Sequence, residues 1–223
     1  MKLTYRLFAL FVLAVAFTGC EYFKAPETTL NVQTGEIKFP AIALNGEQLI
    51  TFEAGTGEYV EEGAVATLGA EDISEDIVIT GTVDSNTPGV YAINYFVETI
   101  NSLGQPSTAQ VNRLVLVTSE DLTDVDLSGP YQGSGFGNQV ATVTKLQTGW
   151  YHIDKILASG NNIQATWAHV GGDVIVMPNQ PSPFGDLNTT APGASAYLTA
   201  DGFEWSVFIG CCGVFGPITF VKL

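Results

Sequence analysis

Short runs of β-branched and aromatic residues, cut at close intervals by glycine, proline and asparagine, constrain this chain more than any other feature. In Val90-Tyr91-Ala92-Ile93-Asn94-Tyr95-Phe96-Val97 the aromatic and aliphatic residues alternate sides closely enough to fill a core between two sheets. Helical periodicity is hard to find, so the fold class is all-β.

The runs fall into two groups. Gln48–Glu53, Ala66–Leu68, Ile77–Val83, Gly89–Glu98 and Ala109–Val117 read as strands, separated by turn signals at Gly55-Thr56-Gly57, Ser85 to Gly89 and Asn101 to Gly104. They predict a β-sandwich over residues 39–118. Residues 119–126 are acidic and lack bulky core aromatics, which predicts a linker. From Leu127 the chain becomes glycine-rich, and eight further strands are legible: Gly129–Gly133, Gln139–Leu146, Trp150–Asp154, Ile163–His169, Asp173–Met177, Ala196–Thr199, Phe203–Phe208 and Ile218–Leu223. They predict an antiparallel barrel or sandwich over residues 127–223. Hairpins are signalled at Thr148-Gly149, Gly171-Gly172 and Asp201-Gly202, the last as a type I′ turn. The stretch Pro178–Gly193, with four prolines, reads as a long loop across one barrel end.

The N-terminus states a destination. Lys2 and Arg6 precede eleven unbroken apolar residues, Leu7–Phe17, and then Thr18-Gly19-Cys20. This is the layout of a secretory signal, and the apolar run is about half the ~20 residues a spanning helix needs. Phe17-Thr18-Gly19-Cys20 resembles a lipobox, which implies cleavage after residue 19, a lipid on Cys20 and a polar tether over residues 20–38. A lipidated Cys would hold the domains on a bilayer with no spanning helix. The expected location is the outer membrane, with the cell surface favoured over the periplasmic face.

Two resemblances sharpen these expectations. Tyr59-Val60-Glu61-Glu62-Gly63-Ala64, Asp76 to Asp84 and Thr87-Pro88-Gly89-Val90-Tyr91-Ala92-Ile93-Asn94-Tyr95 together resemble the bacterial immunoglobulin-like repeat of surface proteins. That family implies a spacer or adhesion module. With the terminal module opening Leu127-Ser128-Gly129-Pro130-Tyr131-Gln132-Gly133, the chain resembles Bacteroidetes lipoproteins encoded beside polysaccharide-utilisation systems, which end in an uncharacterised β-domain. The resemblance implies association with glycan uptake and an outer-membrane import complex.

Charge narrows the partners. The formal net charge is -15, and loss of residues 1–19 removes two cations and no acid. Nucleic acid is excluded as a partner on these grounds. Glu61, Glu62, Asp72, Asp76 and Asp84 have no calcium-loop spacing, so they read as a solvated acidic surface, and no metal or cofactor is expected. Cys211 and Cys212 are adjacent, and strand geometry favours two thiols over a vicinal bridge. His152 and His169 read as strand residues, and no nucleophile elbow, metal-binding helix or phosphate loop is present.

The chain is therefore expected to bind rather than catalyse. Sugar rings pack an apolar face on aromatic side chains while polar neighbours take their hydroxyls. Trp150, Tyr151, Trp167 and Trp205, with Asn161 and Asn179, are the candidate ligand-binding residues, and Trp150 is the most open because it follows a turn. Two alternatives stand beside glycan binding: a scaffold lipoprotein that holds a partner protein, and a hydrolase using a carboxylate pair such as Asp154 and Glu204.

Overall fold

The computed structural model describes residues 37–101 and 103–223. The expected signal segment, Cys20 and all of the expected tether except Ile37 and Lys38 lie outside the described residues. Residues Ile37–Leu223 form one compact unit.

The first seven strands are β1 (Pro40–Leu44), β2 (Leu49–Glu53), β3 (Ala64–Leu68), β4 (Glu71–Asp72), β5 (Val78–Thr80), β6 (Gly89–Ile100) and β7 (Pro106–Thr118), with a 3-10 turn at Ser74–Asp76. They make two sheets, in the orders β1-β3-β4 and β2-β7-β6-β5. β2 runs parallel to β7, and the other pairings are antiparallel. Alternation along β6 is strict: Ile93, Tyr95 and Val97 are buried while Ala92, Asn94, Phe96 and Glu98 face outward and are exposed. The expected sandwich is thus present, with its strands lying between Pro40 and Thr118. β1, Pro40-Ala41-Ile42-Ala43-Leu44, is short and apolar throughout, so it shows no alternation, β4 is only Glu71-Asp72, and Ile77–Val83 pairs as a strand only at Val78–Thr80.

The remaining strands are β8 (Gly129–Ser134), β9 (Val140–Gln147), β10 (Trp150–Ile153), β11 (Ala165–Gly171), β12 (Val174–Val176), β13 (Gln180–Ser182), β14 (Gly185–Asn188), β15 (Ser195–Thr199), β16 (Gly202–Ile209) and β17 (Gly213–Lys222). Eight of them follow one another in the order β16-β15-β12-β11-β10-β9-β8-β17, and β17 pairs back onto β16. The sheet closes as an antiparallel barrel, which removes its edges. Along β16 the inward positions Phe203, Trp205, Val207 and Ile209 are all buried, alternating with partly exposed neighbours. Their rings meet Tyr131, Trp167 and Phe220, with the Phe203 and Phe220 centroids 4.8 Å apart.

Three local expectations are corrected. Pro178–Gly193 is not a simple loop, because it contains the β13–β14 hairpin, which hangs on β16 through Leu187 and Asn188. The hairpin between β15 and β16 turns on Ala200 and Asp201, with Thr199 opposite Gly202, and neither Asp201 nor Gly202 has the positive φ of a type I′ turn. Cys211 and Cys212 form a vicinal disulfide in an exposed turn between β16 and β17, with Cα atoms 3.8 Å apart. The objection to such a bridge holds for a strand, and these two residues lie outside one.

The outward faces of β10 and β11 pack on the outward face of the sandwich sheet. Trp150, Ala168 and Val170 are buried there with Leu116, and Leu49, Val90, Leu114 and Val176 pack around them. Trp150 Nε1 donates to the Ile50 carbonyl at 3.3 Å, and Thr51 Oγ1 donates to that of Thr148 at 2.8 Å. The connecting residues are also held down. Leu122 is buried, the Ser119 N–H donates to Val170 at 2.8 Å, and the Val125 carbonyl accepts from Lys145 Nζ and the Tyr151 hydroxyl.

Candidate functional site

The four aromatic side chains expected to meet a ligand do not reach solvent. Trp150, Tyr151, Trp167 and Trp205 are each 0% exposed. Tyr151, Trp167 and Trp205 point into the barrel and form part of its core, where Trp205 Nε1 donates to the Ile156 carbonyl at 2.8 Å. Trp150 points out of the barrel, as alternation requires, but the sandwich covers it. These residues are corrected from ligand contacts to core and interface. Of the two asparagines, Asn161 lies at one barrel end, in a concavity of about 360 Å³ lined by Phe136, Phe184, Phe215 and the disulfide. Asn179 lies in a larger groove.

That groove has a volume of about 520 Å³ and runs between the outward face of β6 and β7 and the β13–β14 hairpin. It adjoins a second cleft of about 350 Å³ that shares Asn94, Gln110, Asn112 and Pro181. Its floor follows from strand register. Val90 lies opposite Leu116, Ala92 opposite Leu114, Asn94 opposite Asn112, and Phe96 opposite Gln110. The first two rungs run toward the barrel, and the last two emerge from it. Phe96 is 37% exposed, and β5 extends the same rungs with exposed Val78 and Thr80. Among the described residues the side-chain amides of Asn94, Gln110 and Asn112 make no hydrogen bond within the protein.

The opposite wall is braced. Gln180 grips the Thr166 backbone in both directions, accepting its N–H at 2.9 Å and donating to its carbonyl at 2.8 Å. Asn188 is buried, donates to Asn179 Oδ1 at 3.1 Å, and accepts the backbone N–H groups of Thr190 and Ala191. The Asn179 amide donors are left for the groove, beside Pro181, Asp186 and Thr190. The arrangement offers an apolar ring, several carboxamides that both donate and accept, and one carboxylate.

The carboxylates Asp154 and Glu204 and the buried His169 lie outside this groove and make contacts of their own. Glu204 sits on the outward side of β16, and hydrogen bonds from the Tyr197 and Thr219 hydroxyls hold its carboxyl below the usual range. A general acid needs the opposite shift. Asp154 accepts the Thr142 N–H at 2.7 Å and pairs with Lys155 at 3.3 Å. His169 is buried, with Nε2 3.0 Å from the Gly172 carbonyl.

The acidic surface expected on the sandwich is corrected at one position. Glu61 is an inward partner of Arg113, whose side chain is 0% exposed, and it also accepts the Tyr59 and Tyr95 hydroxyls and the Gly63 N–H. Burial by itself would raise the Glu61 carboxyl, but the two tyrosine hydrogen bonds, the Gly63 N–H and the Arg113 charge outweigh it and hold the group below its ordinary value. Burial first, and Glu61 second, push the Tyr95 phenol far upward. Asp72 and Asp84 serve their own turns, accepting from Ser74 and from Asn86 and Thr87.

The register that builds the groove belongs to a known kind of domain. Residues 42–117 match the family of bacterial surface protein Ig-like domains. The sandwich is therefore an Ig-like domain, followed by a closed eight-stranded barrel. Among solved structures, a lipoprotein from Bacteroides thetaiotaomicron is similar to this chain, with 21% identity and a TM-score of 0.34 over 83% of this chain and 100% of that one. No curated protein matches the chain.

Phe96 and the three carboxamides were not singled out in the sequence, yet a signal exists. Strand alternation places Asn94 and Phe96 on the same side, opposite the core residues Ile93, Tyr95 and Val97. Phe96 lies opposite exposed Val78 on β5, and adjoining apolar side chains on an outward face, unlike a single one, are a candidate for contact with something outside the domain.

Proposed function

We propose that this is a lipid-anchored cell-envelope protein whose groove binds a polysaccharide or oligosaccharide without catalysis, as an accessory to polysaccharide uptake at the outer membrane. The observation that carries the reading is the exposed Phe96 ring beside the unpartnered amides of Asn94, Gln110 and Asn112. A sugar packs its apolar face on a ring and satisfies its hydroxyls with groups that donate and accept, and a carboxamide does both. Anchoring at the envelope is supported by the lipobox-like Phe17-Thr18-Gly19-Cys20 and by the match of the Ig-like domain to a family of bacterial surface proteins. An outer-membrane import complex is the protein partner that fits this role.

Affinity electrophoresis of the mature protein through gels containing different polysaccharides tests the reading. At least one glycan retards the wild type, and Phe96→Ala weakens that retardation roughly tenfold, the equivalent of about 1.4 kcal/mol. Phe136→Ala, on the far concavity, leaves it unchanged. No retardation on any glycan, with retained binding to an import complex, would replace this reading with that of a scaffold lipoprotein.

A further inference from the structure

The groove is notable for the charge it lacks. Its walls and floor offer carboxamides from Asn94, Gln110, Asn112 and Asn179, the Thr190 hydroxyl and the Asp186 carboxylate. None of the five cationic side chains among the described residues lines it. Arg113 is committed to Glu61, Lys145 to the Val125 carbonyl and Lys155 to Asp154. Lys222 donates to the Asp126 carbonyl at 3.4 Å, and Lys38 lies beside Gly69.

An anionic sugar would have to bring a carboxylate or sulfate next to Asp186 with no cation to compensate, while giving up part of its hydration. The surrounding field adds to this, because the chain carries a formal net charge of -15. A hydroxyl-bearing neutral sugar meets neither obstacle. Resting on the glycan-binding reading above, we infer that the groove selects neutral glycans and excludes anionic ones, with Asp186 as the residue that enforces the exclusion at short range.

The test compares neutral dextran, mannan and xylan with anionic polygalacturonate and hyaluronan in affinity gels at low ionic strength, where charge repulsion is least screened. The expected result is retardation of the mature protein by at least one neutral polymer and by neither anionic one. Asp186→Lys raises the ratio of polygalacturonate to neutral-polymer retardation by roughly fivefold, the scale of one exposed charge pair. Should circular dichroism show that variant misfolded, Thr190→Lys introduces the cation from the same wall. Retardation by polygalacturonate equal to that by the neutral polymers overturns the inference and leaves the glycan-binding reading intact. Absence of retardation by all five polymers overturns the glycan-binding reading and the inference with it.

Discussion

Arg113 brings a full positive charge into the sandwich, and Glu61 is the carboxylate that meets it there. Its remaining donors go to the carbonyls of Asn45 and Glu47. Replacing Glu61 by Gln leaves a buried cation with dipoles alone for compensation, a loss that costs about 3–5 kcal/mol in such pairs. The urea midpoint falls accordingly at neutral pH. The pH dependence has a definite sign. The folded Glu61 value lies below the ordinary 4.5, so the stability it contributes is complete above that pH and is lost as pH falls through the folded value. The gap between wild type and Glu61→Gln therefore narrows below pH 4.5, and a gap that stays constant into acid would show that the Glu61 charge does not contribute.

The barrel depends on close approach where β16 meets β17. A Cβ on Gly202 would run into the Phe220 carbonyl across that seam. Gly202→Ala forces the two strands apart at a cost of about 1–3 kcal/mol, which lowers the melting temperature by roughly 2–4 °C per kcal/mol in a protein of this size. Thermal circular dichroism reads the change, and an unaltered melting temperature would mean that the seam is looser than its geometry. Elements were legible wherever a run was apolar on alternate residues. β6, β7 and β16 are long and alternate cleanly, so composition alone exposes them. The β13–β14 hairpin is hidden in the sequence because Pro181 and Pro183 argue against a strand. β13 is an edge element, where a missing N–H is tolerated. The Asp201-Gly202 pair shows a related limit: Gly202 is needed for the approach to β17 rather than for the turn itself.

On the scale of the whole molecule, the two modules share a buried apolar contact centred on Trp150 and Leu116. Removing a buried Trp side chain typically costs 3–5 kcal/mol, and here that loss falls on the contact between modules. Wild-type protein is expected to unfold in a single calorimetric transition, and Trp150→Ala to separate it into two, for sandwich and barrel. A single transition at the wild-type temperature would show that the interface does not couple them. The same packing forms the groove, since its two walls come from different modules.

Sequence patterning by itself determined the long strands, the alternation of their faces and the division into a sandwich and a glycine-rich β-module, because alternation and turn chemistry are local properties. Alternation sets Phe96 opposite Ile93, Tyr95 and Val97 and sets Trp150 opposite Tyr151 without saying which face is covered, and Asn179 falls in the stretch that reads as a loop. Which outward face meets water is a nonlocal matter, decided when one sheet lies against the other module. Tertiary packing covers Trp150 and leaves Phe96 open, and it brings Asn179 across from Asn94 and Asn112.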